Sequence, residues 1–259
     1  MIAILVLLAV FGLLIGSFLN VVVWRVPRGE SLLSPPSHCP GCEMPVRPRD
    51  NIPVLSWLLL RGRCRDCREP INVRYPLVEA ATSAAFVAMA VRFGFDAALP
   101  AFLYLAAISV ALALIDIDTQ RLPNAIVLPS YAVGLVLLGV AAVAQGGYGD
   151  LVRAILGMAA LYGFYFGLAL LYPAGMGFGD VKLAGVLGLY LGWLGWAELV
   201  AGGFLGFLLG GVVGGVLMAV RRAGRKSKIP FGPFMLGGAF IAVLWGDALA
   251  DLYLDSLLG

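Results

Sequence analysis

Residues 97–118 read AALPAFLYLAAISVALALIDID. Residues 97–115 hold no charge, and then Asp116 and Asp118 arrive within three positions. A membrane-spanning helix needs about 20 consecutive apolar residues, so this run is long enough to cross a bilayer and stops at two carboxylates. Runs without charge recur at 1–24, 125–149, 154–179, 183–197, 199–220 and 229–246. Tyr75 to Phe93 is mostly apolar, with Glu79 and Arg92 near its ends. The 183–197 stretch is short and must borrow Asp180, Val181 and Lys182 to span. The reading is an all-α polytopic membrane protein of about eight transmembrane helices. Composition agrees. Of the 259 residues 61% are apolar and only 13% charged, against about 25% charged in an ordinary soluble domain. Mean hydropathy is +0.95. A soluble globular enzyme, a disordered chain and a fibrous repeat are all excluded. The 34 glycines fit, because small residues let membrane helices approach closely.

Charge placement predicts the orientation. All Lys and Arg except Arg92 and Arg153 fall on alternate connections: Arg25–Arg74, Arg121, Lys182 and the run Arg221–Lys228. Cytoplasmic loops are enriched in Lys and Arg, so these connections are expected inside and both termini outside. A C-terminal segment with Asp247, Asp251 and Asp255 and no basic residue agrees. The first run has no positive segment before its core and is followed by Arg25, unlike a cleaved signal peptide. It is expected to stay as a span, in an inner or plasma membrane. Arg221–Lys228 reads as a solvated positive loop. Trp193 and Trp196 read as an interfacial belt, and Asp96, Asp150 and Asp247 as interfacial charges.

Residues 25–74 are the one sizeable soluble segment, between the first helix (1–24) and the helical bundle (75–259). It holds all four cysteines, as Cys39-Pro-Gly-Cys42 and Cys64-Arg-Asp-Cys67. Two thiolates three positions apart on a tight turn grip one ion from one side, and two such turns complete a tetrahedron. The expectation is a small cytoplasmic zinc-ribbon-like insertion, with Zn²⁺ structural because four thiolates leave no open position. Two disulfides are the alternative, disfavoured by a reducing cytoplasm. His38 is a further candidate ligand or an ordinary loop residue. The segment is basic, which suits a loop near anionic lipid. No aromatic residues are interleaved with its arginines as stacking platforms, so nucleic acid is not an expected partner.

Asp116 and Asp180 are the candidate catalytic pair. Asp116 closes the third span, and Asp180 opens the sixth in Gly175-Met-Gly177-Phe-Gly179-Asp180-Val-Lys182. Alternate crossing puts both at cytoplasmic helix ends, where they can meet. Ionisable groups at the edge of a span are functional candidates by default. Two carboxylates sharing a site hold one proton, which suits peptide hydrolysis: one takes a proton from water while the other polarises the carbonyl. The sequence does not say which carries it. Gly177 and Gly179 let backbone or substrate come close, and a helix N-terminus favours an anion at Asp180. Asp118 competes with Asp116, although in a continuing helix the two face nearly opposite ways. Lys182 either stabilises the Asp180 anion, contacts substrate or snorkels to headgroups. Glu79 either serves one of the sites or pairs with Arg74 or another loop arginine.

Taken in order, the motifs resemble those of the bacterial type IV prepilin peptidases, which belong with the GxGD-type intramembrane aspartyl proteases. The resemblance covers nearly the whole chain: Gly16-Ser17-Phe18-Leu19-Asn20, Cys39-Pro40-x-Cys42, Asn51-Ile52-Pro53-x-x-Ser56-Trp57-Leu58, Gly62-Arg63-Cys64-x-x-Cys67, Arg74-Tyr75-Pro76-x-Val78-Glu79, Gly177-Phe178-Gly179-Asp180 and Ile229-Pro230-Phe231-Gly232-Pro233-Phe234. It implies a hydrolase of the type IV pilus or type II secretion pathway. Such an enzyme removes the basic leader of prepilins or pseudopilins after a glycine, on the cytoplasmic side. It implies N-methylation of the new N-terminus with S-adenosylmethionine as methyl donor, whose binding residues are unassigned. The catalytic aspartates carried over are the one seven positions before Pro123, Asp116, and that of the GxGD motif, Asp180. Asn124 stands where the family usually has Asp. The GxGD loop is expected to unwind or hold the substrate locally.

Two other classes compete. A proton-coupled transporter would use the same aspartates as carriers, but usually near the midplane and in matched repeats. A zinc-ribbon membrane scaffold would leave the GxGD loop unexplained. Oligomeric state and the particular pilin are not readable.

Overall fold

The computed structural model describes residues 2–173, 175–220 and 229–258. Among them are eight long helices and one short one: α1 Ile2–Arg25, α2 Leu55–Leu59, α3 Arg74–Phe93, α4 Leu99–Thr119, α5 Asn124–Gln145, α6 Tyr148–Leu171, α7 Phe178–Leu194, α8 Trp196–Ala219 and α9 Gly232–Leu258. No strand forms among the described residues. Only isolated bridges, His38 with Pro45 and Arg63 with Pro70, are present. The run Arg221–Lys228 and the side chains of Asp247, Asp251 and Asp255 lie outside the described residues.

Six of the helices are long and apolar enough to cross a membrane by themselves. α7, with 17 residues, rises about 25 Å at 1.5 Å per residue, short of the ~30 Å hydrocarbon core. It needs no lipid-facing length, because α5, α6, α8 and α9 all pack against it. Val181 and every residue from Leu183 to Trp193 are buried. As the short uncharged run requires, α7 takes in Asp180, Val181 and Lys182.

Two compact units emerge. The first comprises Met1–Gly94 with the middle of α4, Ala106–Ala111; the second comprises Phe95–Leu105 and Leu112–Gly259. In the first, α1 lies along α3. Gly12 and Gly16 make this approach possible: a Cβ on Gly12 would sit 2.7 Å from the Ser83 Cα, and one on Gly16 2.6 Å from the Glu79 Cα. This is the small-xxx-small packing of membrane helices. Polar bonds cross the same seam, from Ser83 Oγ to the Ala9 carbonyl at 2.8 Å and from Asn20 Nδ2 to the Tyr75 carbonyl at 3.2 Å. In the second unit Gly157 of α6 meets Gly188 and Gly192 of α7 in the same way.

α6 starts earlier than its charge-free run, at Tyr148 rather than residue 154. Asp150 and Arg153 occupy its first turns as an ion pair at 2.9 Å. Arg153 also donates to the last carbonyls of α7, Gly192 at 2.8 Å, Trp193 at 2.6 Å and Leu194 at 3.1 Å. A cation there completes orphan acceptors and opposes the helix dipole. Arg153→Met is expected to cost roughly 2 kcal/mol, because charge-assisted bonds of part-buried groups are lost. Thermal unfolding of the purified protein in detergent checks this.

Candidate active site and metal centre

α4 continues past the charge-free run to Thr119, so Asp116 lies inside its last turn. Gln120 ends the helix in the left-handed region, φ 53°, its amide bonded to the Asp116 carbonyl at 2.8 Å. Asp116 is buried, at 5% exposure, whereas Asp118 is exposed. The expected division between opposite faces therefore holds, and Asp116 is the inward residue.

The Asp116 carboxylate is held from α9. Its Oδ2 accepts the Gly232 amide at 2.9 Å, a bond spanning 116 positions of sequence. Only glycine permits this approach, since a Cβ at 232 would stand 2.7 Å from the same oxygen. Asp180 is the third residue of α7. Its Oδ2 reaches back to accept the Gly177 amide at 3.1 Å, and its own amide donates to the Gly177 carbonyl at 3.0 Å. Each carboxylate thus accepts one backbone N–H, from a glycine at the start of a different helix.

Leu122, also of the second unit, ties the GxGD turn to the start of α9. Virtual Cβ atoms on Gly179 and Gly232 would meet its side chain at 3.2 and 3.3 Å. The GxGD turn and the start of α9 therefore pack on one residue, and the two carboxylates lie within electrostatic reach of each other. Tyr165 of α6 is likewise within electrostatic reach of Asp180. Its ring stacks on Phe207 at 5.2 Å and lies 6.4 Å from Phe231, giving the site an aromatic wall. Gly232, Leu122 and Tyr165 were not among the residues expected from sequence. The Ile229–Phe234 motif was the one signal for Gly232.

Lys182 is directed elsewhere. Its Nζ donates to Asn124 Oδ1 at 2.9 Å and sits 4.8 Å over the Phe178 ring, and its carbonyl accepts Tyr131 Oη at 2.6 Å. Asn124 therefore fastens the start of α5 to the first turn of α7. Glu79 falls in the first unit. Its Oε2 accepts the Val54 amide at 2.7 Å, and Ser17 also bonds to it. This explains two motifs at once. Gly16, Ser17 and Asn20 of α1 all meet the Tyr75–Glu79 stretch of α3.

The four cysteines meet as expected from their spacing. Their sulfurs lie within 4.8 Å of one another, with Cys39–Cys67 at 3.6 Å and Cys42–Cys64 at 4.0 Å. No disulfide joins them. Zn–S bonds of about 2.3 Å place tetrahedral sulfurs about 3.8 Å apart, so the donor set fits such an ion. The two turns repeat one geometry. The Cys39 amide bonds to the Met44 carbonyl at 3.0 Å and that of Cys64 to the Glu69 carbonyl at 2.8 Å. Glu43 and Arg68, one after each second cysteine, are both left-handed, φ 58° and 65°. Backbone amides of Cys67 and Asp66 point at the Cys64 sulfur and pull its pKa down to about 7, while desolvation and the neighbouring sulfurs push Cys67 up to about 12. Trp57 braces the second turn, its indole N–H on the Ile71 carbonyl at 3.0 Å and its ring against Gly62. Asp50 and Arg65 add an ion pair that holds the Asp50 carboxyl below its usual range. His38 lies outside the four-sulfur cluster.

A many-helix membrane protein with two aspartates at helix ends, each accepting a glycine amide, has the form of an intramembrane aspartyl peptidase. Comparison with known proteins agrees. Residues 10–93 match the Bacterial Peptidase A24 N-terminal domain, and residues 103–219 match the Type IV leader peptidase family. The chain is 38% identical over 281 residues to a prepilin leader peptidase/N-methyltransferase of Aeromonas hydrophila, covering 97% of this chain and 94% of the relative. It is 37% identical over 274 residues to the protein of that name from Pseudomonas aeruginosa, covering 94% and 91%. It is 36% identical over 272 residues to that of Neisseria gonorrhoeae, again covering 94% and 91%. No solved structure matches. The chain belongs to the type IV leader peptidase family.

Proposed function

We propose that this protein removes the basic leader from type IV prepilins or pseudopilins at the cytoplasmic membrane face, with Asp116 and Asp180 as the catalytic pair. The observation that carries the reading is the matched pair of carboxylates, each held by one glycine amide, on segments whose Gly179 and Gly232 both pack on Leu122. One free oxygen of the ionised aspartate takes a proton from a water as it attacks the scissile carbonyl. The protonated aspartate donates to the carbonyl oxygen. A second transfer then delivers a proton to the leaving amine. The glycine amides fix both carboxylates before substrate arrives, so little reorganisation accompanies the step. A prepilin helix would enter from the lipid while its leader stays in the cytoplasm, and the GxGD turn would hold the extended peptide.

The named activity of the relatives includes N-methylation, and we carry it over with S-adenosylmethionine as donor. The methyl step follows cleavage and takes no part in it. The Cys39, Cys42, Cys64 and Cys67 cluster would hold a structural Zn²⁺. In this proposal the chain divides into a first helix (1–24), a cysteine insertion (25–74) and a peptidase bundle (75–259), with the insertion inside and both termini outside.

Purified protein should release the leader of a prepilin in detergent. Mass spectrometry should find the mature chain one methyl group heavier only when S-adenosylmethionine is added. Absence of cleavage across several prepilins and pseudopilins would overturn the reading. The Gly232 contact gives a narrower prediction. Gly232→Ala is expected to slow cleavage at least about tenfold, because the new methyl displaces Asp116 from its working geometry. Gly237→Ala, whose Cβ would meet only Leu209 at 3.6 Å, should stay within about twofold. Initial rates on one substrate compare the two.

A further inference from the structure

The short helix α2 has its polarity reversed. Its serine is inside: Ser56 is 5% exposed, donates from Oγ to the Arg49 carbonyl at 3.0 Å and accepts the Ile52 amide at 3.0 Å. Its leucines are outside: Leu55, Leu58 and Leu59 are 49, 58 and 73% exposed, and Ile52 just before them 47%. Positions i, i+3 and i+4 share one helix face, so the leucines form one patch rather than scattered exposures. Arg61 and Arg63 follow and are exposed, and no acidic residue occurs between Asn51 and Cys64.

The depth of this patch is set by Glu79. The carboxylate that accepts the Val54 amide, immediately before α2, lies five residues inside α3. At 1.5 Å per residue that is about 8 Å along the span from Arg74. Holding Val54 there costs backbone strain. Val54 is β-branched yet sits at φ 59°, ψ −50°, in a γ-turn closed by the Leu55 amide on the Pro53 carbonyl at 2.6 Å. The end of α1 carries a second interfacial marker, exposed Trp24 with the Arg28 guanidinium 3.6 Å over its ring.

We propose that Ile52–Arg63 is an interfacial element docked on anionic phospholipid. Ile52, Leu55, Leu58 and Leu59 enter the headgroup–acyl boundary, and Arg61 and Arg63 bind lipid phosphates. The occupant is the bilayer rather than a protein because the patch is continuous with a membrane span through Glu79 and ends in cations alone. Docking seats the cysteine cluster on the membrane surface, since Trp57 and Gly62 connect α2 directly to the second cysteine turn.

The test uses the full-length protein in vesicles of phosphatidylcholine, or of phosphatidylcholine and phosphatidylglycerol in equal parts. A photoreactive p-benzoylphenylalanine replaces Leu59 or, as the comparison, the exposed Arg68. After irradiation, lipid adducts identified by mass spectrometry should be at least about fivefold more abundant at 59 than at 68. The yield at 59 should rise with phosphatidylglycerol. Adducts at 59 to this chain or to another copy, or lipid yields equal at the two positions, would overturn the proposal. Indifference to phosphatidylglycerol would overturn the assignment of the arginines. A second measurement needs no substitution: a phospholipid with a diazirine in its acyl chain should label 55–59 of the unmodified protein, and failure to do so would also overturn it.

Discussion

Asp116→Asn and Asp180→Asn are each expected to lower prepilin cleavage by at least about 10³-fold, while Asp118→Asn stays within a few-fold of wild type. Asparagine keeps the shape of aspartate and can still accept the Gly232 or Gly177 amide through its carbonyl oxygen, so the helix ends need not move. What it cannot do is exchange a proton in the range where a carboxyl group titrates. General acid–base steps supply typically 10²–10⁴-fold each, and the two residues act as one unit. The double variant should therefore be hardly slower than either single one. Asp118 is the internal control, two positions away on the same helix yet exposed where Asp116 is buried. Rates from purified variants of equal thermal stability decide the matter. Equal loss at 118 would show that charge at the helix end, rather than the Asp116–Asp180 pair, is what matters.

Much of this architecture is legible as pattern. A helix that must satisfy its own backbone in lipid announces itself as a charge-free run, which is why seven of the eight long helices among the described residues follow from such runs and α3 from a mostly apolar one. Even short α7 is found, through the Asp180–Lys182 residues it must annex. A four-cysteine cluster is legible because the chemistry of one ion requires both CxxC spacings. Asp116 and Asp180 are legible because carboxylates at span ends are costly. What escapes is whatever the backbone contributes. The Gly232 amide at Asp116 leaves no side-chain signature, and its partner is 116 positions away. Glu79 reads either as part of one of the sites or as the partner of a loop arginine, and neither reading names the Val54 amide and the Ser17 bond that it accepts. Arg153 reads as a stray charge on the outer side and proves to close the end of α7. Lys182 looks poised for Asp180 by proximity in sequence. The turn of the helix aims it at Asn124 instead.

Removing the metal, or replacing Cys64 by Ser, is expected to unfold the segment between α1 and α3 while leaving the second unit folded. The segment has little else to hold it. Its secondary structure is one five-residue helix, two short 3₁₀ turns and two isolated bridges. Most of its residues from Glu30 to Pro70 are exposed. Arg47–Asp66 is an exposed ion pair of the kind worth at most about 1 kcal/mol. Four thiolates on one Zn²⁺, by contrast, supply on the order of 10 kcal/mol or more in small zinc modules. Without the ion, four sulfurs within 4.8 Å lose their reason to converge. One zinc per chain should be found in purified protein by elemental analysis, and none in Cys64→Ser. Trypsin should then cut the variant, or chelated wild type, at Arg61, Arg63, Arg65 and Arg68 at rates at least about a hundredfold above the zinc-loaded protein, since cleavage tracks the open population. Within the membrane, α7 and the helices around it share no ligand with the cluster and should keep their thermal transition. A Cys64→Ser protein that resists trypsin as wild type does, with no zinc bound, would show that the segment is held by Trp57, Asp50–Arg65 and Glu79 alone.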